Sequence, residues 1–243
     1  MAAFWEKFQH QFVLCFINED RWKFLLKGLG LTIRVTFIAL IIGLLIGVIV
    51  SLVRSSYDKT YAGMRRGLGR TLLKCGNVIC KTYLTVFRGT PSVVQLLIWY
   101  FVIFASSNNK VLVACIAFGF NSGAYIAEIM RAGIMSVDAG QTEAGRSLGL
   151  NFAQTMRFII LPQAFKNVLP ALCNECIVLL KETAICGYIA LQDLTKAGDI
   201  IRGRTFIAFL PLIAVALIYL LMVLGLTWLL GKLERRLRAS DTR

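Results

Sequence analysis

Residues 138–162, DAGQTEAGRSLGLNFAQTMRFIILP, organise the reading of this chain. They carry Asp138, Gln141, Glu143, Arg146, Asn151, Gln154 and Arg157, whereas the sequence on either side is strongly apolar. The pattern predicts a short helix, a turn at Gly149-Leu150-Asn151 and a second short helix that stops at Pro162. Asp138 can cap the first helix, with Gln141 three residues on as its reciprocal partner. Glu143 falls in the first two turns, where the helix dipole favours negative charge. Ala144 and Gly145 leave a thin ridge that another surface can cover. Gly149 permits the left-handed backbone that ends a helix and turns the chain. The residues by themselves describe a structured, exposed, polar hairpin.

Its surroundings are a membrane protein. Of 243 residues, 57% are hydrophobic and only 16% charged, and the mean hydropathy is +0.69. Apolar stretches at 35–53, 89–109, 111–127 and 205–231 are near or above the roughly 17–20 residues a helix needs to cross hydrocarbon. Residues 158–180 are also long enough, although they hold Pro162, Lys166, Pro170 and Glu175. The expected fold class is therefore all-α polytopic, with about five transmembrane helices and the hairpin between the third and fourth.

The net charge of +14 suggests nucleic acid until its location is considered. Arg54, Lys59, Arg65, Arg66, Arg70, Lys74 and Lys81 face only Asp58, and Lys232, Arg235, Arg236, Arg238 and Arg243 crowd the end. Basic residues beside spans favour the cytoplasm. Both regions, and the hairpin, are placed inside, with the N-terminus outside and the C-terminus inside. Residues 55–81 are read as a basic cytoplasmic segment touching anionic lipid heads. The expected organisation is 1–28 as an N-terminal periplasmic or interfacial amphipathic segment, 29–231 as the transmembrane domain, and 232–243 as a basic cytoplasmic tail. Within the first, Phe4, Phe8, Phe12 and Phe16 recur every four residues, marking one face that lies on the membrane or packs on the first span.

Polar residues within the spans are candidates for a substrate path, because their cost in lipid needs a reason. Asn121, Tyr125 and Glu128 line one face of the third span, which serves transport or interhelical hydrogen bonding. Glu175 is the one carboxylate well inside the fourth, and its partner is a substrate ammonium group, Lys181 or another helix. Gly43-x-x-x-Gly47 and Gly119-x-x-x-Gly123 permit close helix approach, in a bundle or a dimer. Thr90 and Pro91 suit the start of the second span. Seven cysteines are scattered, and Cys173-x-x-Cys176 reads as two small side chains on a packed helix. With one histidine, His10, no zinc or haem site is expected.

Glu143-Ala144-Gly145, three residues, Gly149, nine residues, then Ile159-x-Leu161-Pro162 resembles the EAA loop of bacterial ABC-importer permeases. Phe87-Arg88-Gly89-Thr90-Pro91 with Gln95-Leu96, and Asn174-Glu175 with Leu180-Lys181-Glu182-Thr183, look like the polar amino acid uptake branch. The resemblance covers residues 31–231. Gly145 stands where the family usually has a second alanine, a small-for-small change expected to be neutral.

The resemblance implies a type I importer permease fold and a transport subunit that is not itself an enzyme. It also implies a bacterial inner-membrane location. The implied partners are ATP-binding cassette ATPase subunits, a second identical or homologous permease, and a periplasmic or lipid-anchored amino-acid-binding protein. Glu143, Ala144, Gly145, Leu148, Gly149 and Pro162 become the ATPase-coupling residues. Asn121, Tyr125, Glu128, Asn174, Glu175 and Lys181 become the substrate-path candidates. No cofactor, metal or nucleic acid is expected in this chain. It has no G-x-x-x-x-G-K-[ST] loop, so ATP and magnesium belong to the partner. An ion-coupled transporter would carry internal repeats, which the sequence lacks, and would leave the hairpin without a role; a channel would carry rings of polar residues from several copies, which one sequence neither shows nor excludes.

Overall fold

The computed structural model describes residues 1–238; Arg243 and the side chains of Phe4 and Arg238 lie outside the described residues. All regular structure among them is helical. Helix α1 (Ala2–Phe12) leads through a π turn (Val13–Ile17) to α2 (Trp22–Thr60). Next come α3 (Leu68–Gly89), α4 (Ser92–Ile98) with a π turn (Trp99–Ile103), and α5 (Lys110–Met135). The hairpin helices are α6 (Ala139–Ser147) and α7 (Phe152–Thr155), the latter followed by a π turn (Met156–Ile160). Helices α8 (Leu161–Glu182), α9 (Leu194–Thr205) and α10 (Phe209–Arg238) complete the chain.

Among the described residues, three helical stretches are long and apolar enough to span a membrane: Trp22–Gly63, Lys110–Met135 and Phe209–Arg236. A fourth exists if Leu68–Gly89 and Ser92–Ile103, bent by 110°, count as one broken span. This corrects the reading of the second span. Residues Ser92–Ile103 reach only about 18 Å at 1.5 Å per residue, well short of ~30 Å of hydrocarbon. Helix α3, which precedes this stretch, covers part of the region read above as a basic segment. Its charges at Arg70, Lys74, Lys81 and Arg88 form a helical stripe, while Asn77, Cys80 and Leu84 turn inward. At its end Thr90 Oγ1 donates back to Val86 O at 2.8 Å. Helix α8 has the length for a fifth span but, with its polar content, is not among the apolar stretches. The tail's basic residues Lys232, Arg235 and Arg236 extend α10.

The chain divides into two compact units, each assembled from distant stretches. One unit comprises Met1–Ala39, Ser92–Phe118 and Ile177–Thr227. Its core joins Cys15, Phe16 and Leu25 to Leu194, Ala197 and Ile201 of α9 and Leu210 and Val215 of α10. Asp193 caps α9 by accepting from the N–H groups of Thr195 (3.0 Å) and Lys196 (3.2 Å). Burial pushes the Asp193 carboxyl up, and those backbone donors pull the other way. Gly28 lets α2 pass the cap, since a Cβ there would stand 2.7 Å from Asp193 O. The aromatic series is buried to different degrees along its length. Phe16 is buried and Phe8 packs on the core, whereas Phe12 is 43% exposed, with its ring centroid 5.1 Å from that of Phe16.

The second unit comprises Leu40–Pro91, Gly119–Cys176 and Trp228–Arg243. Here the glycine pairs find their purpose inside one chain. A Cβ at Gly43 would lie 3.2 Å from Gly123 N and 3.4 Å from Gly119 O; at Gly47 it would lie 3.1 Å from Ala127 N. Helices α2 and α5 thus touch backbone to backbone, and van der Waals packing replaces the hydrophobic drive that lipid does not supply. Beside that seam, α3 adds Cys80 and Leu84 to Val50, Ala124 and Ala127.

Candidate functional site

The hairpin is a closed, fully capped element within the second unit. Asp138 caps α6, but its side chain accepts from Gly140 N at 2.7 Å rather than pairing with Gln141. Gln141 Oε1 instead accepts from Gln163 Nε2 at 3.2 Å, tying α6 to α8. The reciprocal capping box sits on the other limb. Gln154 N donates to Asn151 Oδ1 and Asn151 N to Gln154 Oε1, both at 2.9 Å.

The turn between the limbs is a Schellman closure. Gly149 N–H donates to Arg146 O at 3.0 Å and Leu150 N–H to Gly145 O at 3.1 Å, with Gly149 at φ +79°. The second limb does not stop at Pro162. It continues through the widened turn, where Leu161 N–H reaches back five residues to Met156 O, into α8. Proline has no N–H to donate, and its place just after the register change spares the helix a break.

Gly145 is the pivot of the packing. It is buried, and a Cβ there would lie 2.7 Å from Thr155 Cγ2, 2.9 Å from Thr155 Oγ1 and 3.1 Å from Ile159 Cδ1. The change from alanine is therefore not neutral, as the sequence reading had it. Thr155 is itself buried, and its Oγ1 has no hydrogen-bond partner among the described residues. Gly145→Ala should destabilise the hairpin by about 1–3 kcal/mol through overpacking, offset in part by the ~1 kcal/mol that alanine gains in a helix. Adding Thr155→Ala should restore wild-type stability, because it removes both the clash and the unpaired hydroxyl. Thermal unfolding of the two variants in detergent checks this; equal losses in both would place the strain elsewhere.

The other coupling residues point outward. Glu143 and Ala144 are exposed, and Leu148 is 77% exposed. Leu148 lies one turn beyond Ala144, so the two form a small apolar ridge beside the face that α7 holds.

The substrate-path residues divide into two groups. Asn121 is buried and its Nδ2 donates to Phe87 O at 3.4 Å. Tyr125 lies under Arg88, whose guanidinium carbon is 5.7 Å from the ring centroid. Glu128 joins a chain of charges, with Arg131 Nη2 at 2.6 Å and Arg88 Nη1 at 3.8 Å, while Arg131 also reaches Asp58 at 3.3 Å. These pairs tie α2, α3 and α5 together, and their side chains are 25–42% exposed. At that exposure each contributes on the order of a few tenths to 1 kcal/mol. Deeper in the unit, Glu175 is 8% exposed and accepts from Ser122 Oγ at 2.8 Å. Asn174 and Lys181 are exposed, and Lys181 belongs to the first unit.

Sequence reasoning did not select Arg88, Arg131, Asp58 or Ser122 as site residues. The Glu128–Arg131 spacing of three was a usable signal; the contacts across helices had none. All seven cysteines are free thiols, and no group of three His, Cys, Asp or Glu side chains among the described residues could hold a metal.

The family model for the binding-protein-dependent transport system inner membrane component matches residues 69–239, the greater part of the chain including the whole hairpin. The chain belongs to that family. The permease is 37% identical over 226 residues to the arginine transport system permease protein ArtQ of Bacillus subtilis (strain 168), spanning 90% of this chain and 94% of that one. It is also 37% identical over 181 residues to the glutamine transport system permease protein GlnP of Escherichia coli (strain K12), spanning 73% of the permease and 81% of the relative.

Among solved structures, the permease superposes with a TM-score of 0.77 on a chain of an amino acid ABC transporter crystallised with histidines. The two are 41% identical, with 88% of the permease and 94% of that chain covered. The inward-facing methionine ABC transporter MetNI shares the fold at 19% identity and a TM-score of 0.71, over 90% of the permease and 99% of that chain. The type I importer permease fold is thus the fold of this chain.

Proposed function

We propose that the permease imports a polar amino acid across the bacterial inner membrane, driven by separate ATP-binding cassette subunits that grip the hairpin ridge at Ala144 and Leu148. One observation carries this reading. The hairpin is capped at both helix starts, closed at Gly149 and locked at Gly145, yet it leaves Leu148 almost bare. A rigid element with an unpartnered apolar tip transmits force without deforming. The amino acid class is supported by the arginine and glutamine named for its relatives and the amino acid transporter whose fold it shares.

ATP and magnesium are bound by the partner, and closure of two ATPase subunits moves a pair of permeases between inward- and outward-facing states. A periplasmic or lipid-anchored binding protein delivers the solute. The N-terminus lies outside and the C-terminus inside, which puts the basic residues of α3 and α10 on the hairpin's side. Co-expression with the ATPase tests the docking. Wild-type permease should co-purify with it and support ATP-dependent uptake in vesicles, and Leu148→Asp should lose both while remaining in the membrane. Uptake that persists without ATP would point to an ion-coupled transporter or a channel.

Within the membrane, Glu175 is assigned to the ammonium group of the substrate, oriented by Ser122. Glu175→Gln keeps the shape and an acceptor for Ser122 but removes the charge. A charge-assisted hydrogen bond contributes roughly 1.5–3 kcal/mol, so the KM for uptake should rise at least about tenfold at unchanged membrane abundance. Unchanged KM with reduced abundance would make Glu175 a structural residue.

A further inference from the structure

Two clefts of the second unit meet at one residue. The first, of about 410 Å³, is almost wholly apolar and lies between α2, α5 and α8, with Leu52, Ala164, Phe165 and Val168 among its walls. Leu52 is 48% and Phe165 52% exposed, so it opens on the side where spans meet lipid. The second, of about 770 Å³, has a mixed lining and runs between the end of α2 and the hairpin, past Lys59, Thr60, Thr142, Glu143 and Arg146 as well as Met135 and Leu150. Ile134 lines both. From Val48 in the first to Thr60 in the second, the slot follows α2 for about 18 Å at 1.5 Å per residue.

We propose that this slot holds one anionic phospholipid, its acyl chain in the apolar cleft and its phosphate between Lys59 and Arg146. Charge decides the occupant. Lys59 is half-buried, and neither it nor Arg146 has a hydrogen-bond or ion-pair partner among the described residues. A cation partly withdrawn from water and left unpaired is costly, and an anion offsets that cost. Glu143 is the one carboxylate on the wall, so the rim keeps a net positive charge. A free anion would satisfy the rim but leave the apolar cleft bare.

Of the coupling residues only Glu143 lines a cleft, and the apolar ridge proposed for the ATPase does not compete. Ala144 and Leu148 project from a different face of α6 and line neither cleft. Seated there, the lipid bridges the end of α2 to the hairpin on the hairpin's side of the bilayer. Attraction of basic side chains for anionic lipid acts at this level of the membrane.

Full-length permease in nanodiscs, with phosphatidylglycerol or phosphatidylcholine bearing a photoreactive acyl chain, tests the site. Labelled residues are mapped by mass spectrometry. Phosphatidylglycerol should label the α2 and α8 walls near Leu52 and Phe165 roughly tenfold more than phosphatidylcholine. Lys59→Gln with Arg146→Gln should remove that preference, and Lys59→Arg should keep it. Leu52→Trp, which fills the cleft from a lipid-exposed position, should cut labelling with both charges intact. Equal labelling by the two lipids, or labelling unchanged in the double variant, would overturn the proposal. Labelling lost on assembly with the ATPase would overturn it too, by assigning the second cleft to that protein. Uptake is not the readout, so the proposed transport function stands or falls separately.

Discussion

Gly149→Val should leave the permease inserted and folded while abolishing uptake and its coupling to ATP hydrolysis. The effect is purely one of backbone. No atom lies within 4 Å of a Cβ built on Gly149, so space is not limiting, but its φ of +79° is. A side chain in the left-handed region costs about 1–2 kcal/mol, and a β-branched one is a steric outlier there. Valine would open the closure made by Gly149 N–H and Leu150 N–H, releasing the end of α6 that carries Leu148. Gly149→Asn supplies the graded control, since asparagine enters this region readily. Vesicle uptake and stimulated ATPase rates should fall in the order glycine, asparagine, valine, at equal permease abundance. Normal uptake with valine would sink the assignment of this hairpin as the coupling element.

The second large effect is expected at Gly47→Leu, which should prevent the α2–α5 seam from forming. The first carbon of any side chain there would stand 2.5 Å from Ile126 Cγ2, 2.9 Å from Ile126 Cβ and 3.1 Å from Ala127 N. The methyl can turn aside; the Cβ and the amide of α5 move only with the helix. Overpacking of a flexible site costs about 1–3 kcal/mol, and displacing a helix backbone costs more, against a total stability of roughly 5–15 kcal/mol. The variant should lose protease resistance and its unfolding transition in detergent. Gly47→Ala with Ile126→Ala should recover part of it, because the shortest of the three close contacts, that with Ile126 Cγ2, is then relieved. A Gly47→Leu chain that folds normally and fails only to dimerise would show that the glycines serve an interface between copies.

The seam shows where sequence reading stops. Spacing of four marked Gly43, Gly47, Gly119 and Gly123 as sites of close approach, with no indication of which helices approach or whether they belong to one chain. Helix α3 shows a second limit. Its four basic residues dominate any hydropathy window, so a 22-residue helix was read as a basic loop. The Asp138–Gln141 pair shows a third. Its spacing fits a capping box, but Gln163, twenty-two positions away from Gln141, competes for the glutamine, and the box forms at Asn151–Gln154 instead.

The hairpin at residues 138–162 was legible by itself because caps, turns and prolines act through backbone geometry within four or five residues, and those rules are written in local order. Its start, its glycine turn and the family it resembles followed from that order; its far end did not, because the helix runs on past Pro162 into α8. Only the tertiary structure decided that Gly145 must lack a Cβ against Thr155, that Ser122 faces Glu175, and that Arg131 of α5 reaches Asp58 of α2. Each of those joins residues at least ten apart across packed helices. Their partners are set by which faces fit together, and face fitting is a property of volumes in space that no spacing along the chain encodes.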